Sequence, residues 1–301
     1  YYMKDGKNCP GKDSEYIDYP AYAKRIDPNP RAEGFVTDEN KDQYPELGNN
    51  RVGVSMQYVG REPRFYASVA YNGSTWYLLN EPNDANKDKQ IFYYRGGGNG
   101  YTNTMFWLRT GIGVMKFVHP DDTNRDEKEE YIRKKAEPAI RYAEILLIYA
   151  EALNELTGNY NIASWDEETQ YTIQRNIDEM KKGIQPIRIR AGIPDYTRSE
   201  YEDQDLFREK LKRERQIELM GEGHRYYDIR RWKDAEVEES LPIYGCNTLM
   251  TEKWRDVFHV PVAIPSLPTN FSRKMYFWPI SHSELKRNKM LTQNPGWTYN
   301  D

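Results

Sequence analysis

Two glutamates spaced four residues apart, Glu214 and Glu218, are the side chains of this sequence that most resemble a catalytic pair. Glycoside hydrolases use two carboxylates about 5 to 10 Å apart, which flank a substrate cleft. Spacing of i and i+4 instead places both carboxylates on one face of a single helix. We therefore interpret them as buried structural carboxylates, which need basic partners.

The surrounding residues favour that structural interpretation. Phe207 and Leu211 share the helical stripe of the two glutamates, so the carboxylates lie in an otherwise apolar arc. Two glycines, Gly221 and Gly223, then separate this helix from a second one rich in arginine. The sequence predicts a structural ionic core made of acidic and basic side chains from these helices and from an earlier one: Glu144, Glu151, Glu214, Glu218, Arg225, Arg230 and Arg231.

Other motifs of known chemistry do not occur. The four histidines never fall at ligand spacing and no CxxC is present, so we expect no metal site of that kind. Gly96-Gly97-Gly98 lacks the lysine of a phosphate loop, and Gly221-x-Gly223 follows a helix instead of a strand. We expect neither a cofactor nor catalysis.

The chain is unusually rich in aromatic residues, with 25 Tyr, 7 Trp and 9 Phe at a mean hydropathy of -0.95. Rings at the surface of so hydrophilic a chain often mark binding faces. They can stack on the apolar faces of sugar rings, while arginine and asparagine bond to hydroxyls. The alternative is that the rings seal a glycine-rich loop onto the body. The predicted ligand-binding residues are Trp76, Tyr77, Tyr94, Arg95, Asn99, Tyr101 and Trp107.

The elements that must position these residues fall into four regions. Residues 1–61 are irregular and must pack on something else. In residues 62–118, alternation from Phe65 to Tyr71, then Asn72-Gly73, predicts a β-hairpin followed by the aromatic loop and a strand at 112–118.

Residues 139–233 are predicted to be helical, with one helix over 139–157 and another over 168–182 that Gly183 stops. Pro186 would end a helix there. Residues 234–301 read as loops, a short strand over 275–280 and a last helix opened by a capping box at Ser281 and Glu284. The predicted fold is mainly α with irregular loops and short β-hairpins.

Charge and cysteine content exclude some functions. Lys plus Arg is 43 against 47 for Asp plus Glu, a net charge of -4 with interleaved signs, so no nucleic-acid face is expected. The sequence contains no apolar run of about 18 residues, the length that a membrane-spanning helix needs. Cys9 and Cys246 either form one disulfide or remain two thiols.

Several stretches together resemble one family. The segment from Glu214 to Lys233 is similar to the signature of the SusD/RagB family, and three more match it in the same order. These are Arg141 to Glu155, Ile184 to Pro194 and Tyr276 to Trp297, with a weaker fifth match from Glu62 to Gly73.

The resemblance implies a fold and a role. The fold would be tetratricopeptide-like helix pairs packed with a loop-rich C-terminal region. The role would be that of a lipid-anchored protein on the extracellular face of an outer membrane, which captures glycans for a SusC-like TonB-dependent transporter. The alternatives are peptide binding, as in some relatives, and a helical-repeat scaffold that binds only protein.

The N-terminus has neither a signal peptide nor a lipidation site at Cys9. Residues 1–301 are therefore expected to be the C-terminal part of a single SusD-like domain, without its N-terminal part and lipid anchor. We expect such a piece to fold poorly alone, because its first 60 residues would lack a partner.

Overall fold

The structure, a computed structural model, describes residues 1–7, 34–102, 107–125, 129–267 and 269–298. The helices are α1 Pro63–Ser68, α2 Tyr142–Asn154, α3 Ile177–Arg190, α4 Arg198–Glu202, α5 Gln204–Glu218, α6 His224–Arg231, α7 Ala235–Glu238, α8 Arg255–Phe258 and α9 His282–Arg287. The strands are β1 Val69–Ala70, β2 Thr75–Tyr77, β3 Asp88–Gln90, β4 Gly113–Val114, β5 Thr123–Arg125, β6 Glu129–Tyr131, β7 Tyr160–Ala163, β8 Gln170–Ile173, β9 Tyr244–Gly245 and β10 Val262–Ala263. They form antiparallel two-stranded pairs: β1–β4, β2–β3, β5–β6, β7–β8 and β9–β10.

Helix α2 is the centre of the largest apolar core. It packs on α3 and α5, and its Leu147 and Ala150 are buried against Met180, Ile184 and Phe207. The spacing of Leu147 and Ala150 by three residues puts both on the face turned toward those helices. The predicted helix-rich fold with short strand pairs is confirmed, although α2 begins three residues later and ends three residues earlier than predicted.

The prediction for α3 was wrong at both ends. Residues 170–173 form β8, and the helix begins at Ile177 after Asn176, whose side chain accepts a hydrogen bond from the Glu179 N–H at 3.1 Å. Gly183 lies inside the helix because α2 passes very close there. A Cβ on Gly183 would lie 2.5 Å from the Leu146 carbonyl oxygen. Pro186 also lies inside α3 and does not end it.

The predicted β-hairpin at Asn72-Gly73 was also wrong. Residues 63–68 are helical, because Pro63 occupies the first helical position, where its fixed φ and missing N–H cost nothing. Strand β1 pairs with β4 and β2 pairs with β3, so the two strands flanking Gly73 do not pair with each other. Gly73 still makes a tight turn at φ +89°.

The C-terminal region agrees with the prediction in part. Ser281 accepts a hydrogen bond from the Glu284 N–H at 3.4 Å and opens α9, as expected. The strand predicted over 275–280 is wrong, since residues 273–276 form a 3-10 turn. The strand predicted over 112–118 is reduced to the two residues of β4. Within the described ranges, no helix has the length and apolarity needed to cross a membrane.

Residues 1–7 and 34–60 pack on the body of the chain. Val36, Leu47 and Val54 are buried with Phe65 and Tyr71, and Tyr2 is buried in a separate cluster with Ile217. The early segment therefore has an apolar partner within this chain, contrary to the reason given for poor folding. Poor folding of the isolated chain itself stays a prediction.

Cys246 is a buried free thiol, whereas Cys9 lies outside the described residues. Burial raises the pKa of the Cys246 thiol to about 11. Because the thiolate is the reactive species, we expect native Cys246 in a Cys9→Ser background to react with a disulfide reagent at pH 8 about 100-fold more slowly than the urea-unfolded chain. The rate of chromophore release measures this, and equal rates in the two states would contradict the burial.

Candidate functional site

Four aromatic residues line an open cavity of about 380 Å³ beside α1 and β2. Tyr66 comes from α1, Tyr71 follows β1, and Trp76 and Tyr77 are neighbours on β2. Both of these β2 residues border the cavity, although successive side chains of a strand point to opposite sides. The described lining also contains Met115, Val118 and Pro120, and its exposed area is mostly apolar. A cavity of this character suits a ligand with apolar faces.

The polar groups of this cavity are mainly hydroxyls. The Tyr77 hydroxyl accepts a hydrogen bond from the Asn49 N–H at 3.3 Å, and the Thr75 hydroxyl donates to the Asn50 carbonyl at 2.9 Å. Ser74 is 1% exposed, and its hydroxyl has no hydrogen-bond partner, as is also true of the Trp76 indole N–H. Both atoms have almost no exposed surface, so they lie behind the cavity wall and do not face its interior.

Trp76 also borders a second, smaller cavity of about 240 Å³. That cavity is lined by Asn86 and Asn99 and by Lys89, which lies directly across from Trp76 in the β2–β3 pair. The indole is therefore a shared wall of two adjacent cavities. Of the predicted binding residues, Trp76, Tyr77 and Asn99 are brought together here.

The other predicted binding residues lie elsewhere. Arg95, Tyr101 and Trp107 form a separate group, with the Arg95 guanidinium 5.9 Å from the Tyr101 ring centre and the Tyr101 and Trp107 rings edge to face at 5.3 Å. Tyr94 is only 8% exposed and packs against Phe258. A covered ring offers no face for stacking, so we remove Tyr94 from the candidate set.

Sequence reasoning missed Tyr66 and Tyr71 as cavity residues. The alternation from Phe65 to Tyr71 was taken as one strand, which would put Tyr66 on the polar face. Helix α1 instead turns Tyr66 toward the cavity, where its hydroxyl donates to the Tyr58 carbonyl at 2.7 Å. The signal that could have shown this is Pro63, which favours the first turn of a helix.

Glu214 and Glu218 lie in an ionic cluster beneath this region. Glu214 is fully buried and accepts from the guanidiniums of Arg64 at 2.6 Å and Arg188 at 2.8 Å. Glu218 is paired with Arg64 at 3.1 Å and Arg141 at 3.0 Å, and with Arg190. Arg64 also donates to the buried Glu62 at 2.7 Å, so one guanidinium joins three carboxylates.

The predicted partners of these two glutamates were wrong. Arg225 pairs with Glu238, Arg230 with Glu239, and Arg231 with Asp228 and Glu151. Glu144 lies 3.5 Å from the His224 ring and 3.8 Å from Arg215. The three arginines follow α5 in sequence, but α6 points them toward the acidic residues of α2 and of the α7 end.

The arginines of the cluster are themselves held by aromatic rings and carboxylates. Arg188 is sandwiched between the rings of Tyr196 and Tyr2, with its guanidinium carbon 3.7 Å and 5.0 Å from the ring centres. Burial alone would lower the pKa of Arg64, but Glu214 and Glu62 outweigh it and raise that pKa. Both glutamates are thus paired with arginines, which agrees with the predicted structural role. Among the described residues no cluster of His, Cys, Asp or Glu could hold a metal ion.

Comparison with known proteins agrees with this architecture. The sequence profile of the SusD family matches residues 1–297. The SusD-like protein P2 of Formosa agariphila is 31% identical over 162 residues, which are 52% of this chain and 25% of the relative. Two solved structures cover 99% of this chain: one named BT4246, at 23% identity, TM-score 0.72 and 43% of its length, and a SusD-like protein from Bacteroides fragilis NCTC 9343, at 24%, 0.65 and 45%.

The fold is that of the solved SusD-like proteins. The chain belongs to the SusD family. It spans about a quarter of the length of the curated relative and less than half of the solved chains.

Proposed function

We propose that this chain is part of a surface protein that captures glycans for import through a partner TonB-dependent outer-membrane transporter, and that the cavity around Trp76 contacts the glycan. The family supports the general class, since SusD-like proteins are nutrient-binding surface proteins. In this proposal the protein sits on the extracellular face of the outer membrane, anchored by lipid.

The observation that carries the glycan proposal is the composition of the cavity wall. Tyr66, Trp76 and Tyr77 contribute aromatic side chains to this wall, together with hydroxyl-bearing Thr75, whereas the Tyr71 ring is 2% exposed and is covered by Phe65 and Tyr58. A sugar presents the same combination, an apolar ring face edged by hydroxyls. Large aromatic rings supply apolar contact area together with a polar edge, which suits such a ligand.

Isothermal titration calorimetry against a panel of oligosaccharides and peptides tests this function. We expect a micromolar-range glycan ligand whose affinity Trp76→Ala lowers at least about tenfold, which equals about 1.4 kcal/mol. The loss follows from removing the wall that both cavities share.

Two further tryptophan variants make the result specific. Trp165→Ala is the matched control, because Trp165 is 95% exposed on the connection between β7 and β8. Trp107→Ala asks whether the Arg95, Tyr101 and Trp107 group takes part, and we expect a change of less than about threefold. Peptide binding without glycan binding, or a larger loss in Trp107→Ala than in Trp76→Ala, would contradict the proposed site.

A further inference from the structure

Glu46 is an uncompensated carboxylate at the wall of the larger cavity. One of its oxygens accepts a hydrogen bond from the Gly60 N–H at 3.1 Å. None of the ion pairs formed by the described residues includes Glu46, and no Lys or Arg is found among the described residues that line this cavity. The residue was not singled out by any sequence motif.

The Arg61 guanidinium lies near enough to act on Tyr66 against the Glu46 charge, but it forms no ion pair with Glu46. The neighbouring Tyr66 hydroxyl donates to a backbone carbonyl, and burial together with the Glu46 charge raises the pKa of Tyr66 to about 12. The pKa of Tyr71 is raised as well, chiefly by burial and also by the Glu46 charge. Glu46 is the one Asp, Glu, Lys or Arg side chain among the described residues that line this cavity.

A second carboxylate belongs to a neighbour of the lining residue Tyr77. Asp88 lies directly across from Tyr77 in the β2–β3 pair, and its carboxylate accepts a hydrogen bond from the Asn49 side chain at 3.2 Å and forms no ion pair with a described residue. The nearest lysine of that pair, Lys89, lines the smaller cavity on the other side of Trp76. The described lining of the larger cavity therefore holds one carboxylate and no cation, whereas the smaller cavity is lined by both Lys89 and Glu81.

We propose that the larger cavity selects uncharged glycans over glycans that carry carboxylate or sulfate groups, and that Glu46 is the residue that sets this preference. The inference rests on the proposed function. A like charge brought next to a carboxylate in a partly desolvated cavity is repelled, and like-charge contacts are a general means of rejecting wrong ligands. The aromatic walls contribute equally to both ligand types, because oxidation at C6 leaves the face of a sugar ring unchanged.

Matched ligand pairs test this preference by calorimetry on the full chain. The probes are hexasaccharides with gluco, galacto and manno configuration, each compared with its C6-oxidised uronate form. For the configuration that binds, we expect the neutral form to bind at least about tenfold more tightly than the uronate. Glu46→Gln keeps an oxygen that can accept from the Gly60 N–H, and we expect it to reduce the preference to about threefold or less by tightening uronate binding.

Glu168→Gln is the matched control, since it removes the same charge from an exposed residue near the β7–β8 connection and is expected to keep the tenfold preference. A uronate that binds the unmodified chain as tightly as its neutral partner would overturn the inference. So would an unchanged preference in Glu46→Gln. If no sugar binds, or Trp76→Ala changes nothing, the proposed function itself fails, which separates the two results.

Discussion

Arg64→Met is expected to lower the free energy of unfolding by about 3 to 5 kcal/mol, because it removes the one cation shared by three buried carboxylates. The guanidinium contacts Glu62, Glu214 and Glu218, and the side chains of those glutamates are at most 3% exposed. Arg188 would still hold Glu214, but Glu62 would lose its cation. An unpaired charge in a dry site costs far more than a pair contributes.

Urea titration followed by circular dichroism measures this loss. The free energy of unfolding of Arg64→Lys is expected to lie between those of the unmodified chain and Arg64→Met, since an ammonium keeps the charge but cannot make the forked contacts. Arg198→Met is the control, because its pair with Glu202 is largely exposed and worth at most about 0.5 kcal/mol. A loss of less than about 1 kcal/mol in Arg64→Met would show that the cluster does not stabilise the fold as its geometry indicates.

Gly183→Val is expected to destabilise the chain by about 3 kcal/mol or more. A Cβ at this position would lie 2.5 Å from the Leu146 carbonyl oxygen and 2.8 Å from the Ala150 Cβ. Both atoms belong to helix α2, so a larger side chain at this position of α3 must push the two helices apart. Overpacking of a core costs about 1 to 3 kcal/mol before any lost contacts are added. Gly183→Ala should cost less, since alanine favours the helix by about 1 kcal/mol over glycine.

The midpoint of thermal or urea unfolding provides the measurement. Gly158→Ala is the matched control, because a Cβ there would meet no atom within 4 Å, and its effect should stay within about 0.5 kcal/mol. A stabilised Gly183→Ala variant together with a neutral Gly183→Val variant would mean that α2 and α3 are not in close contact at this glycine.

The sequence predicted the fold best where local signals agree. Helices α5 and α6 were predicted because apolar spacing and a two-glycine break coincide, and α9 because Ser281 and Glu284 form a recognisable start. Gly183 was misread because glycine has two uses in helices. It ends some of them, and in others it lets a second backbone come close, and only the position of α2 distinguishes the two.

The ionic cluster shows a second limit. That Glu214 needs a cation follows from its place in an apolar stripe, but Arg64 lies 150 residues away along the chain. Proximity in sequence favoured Arg225, Arg230 and Arg231, and tertiary packing overrode it. The cavity shows the same limit. Trp76 and Tyr77 were predicted from their residue type, whereas Glu46, in a 3-10 turn, and Tyr71, after β1, come from separate segments that only the fold brings together.

The most direct test of the proposed glycan site is a crystal structure of the chain with the tightest-binding neutral oligosaccharide. We predict a sugar ring lying parallel to the Trp76 indole in the larger cavity, with hydroxyls near Tyr77. Sugar density on the Tyr101 and Trp107 rings, with the Trp76 cavity empty, would contradict it.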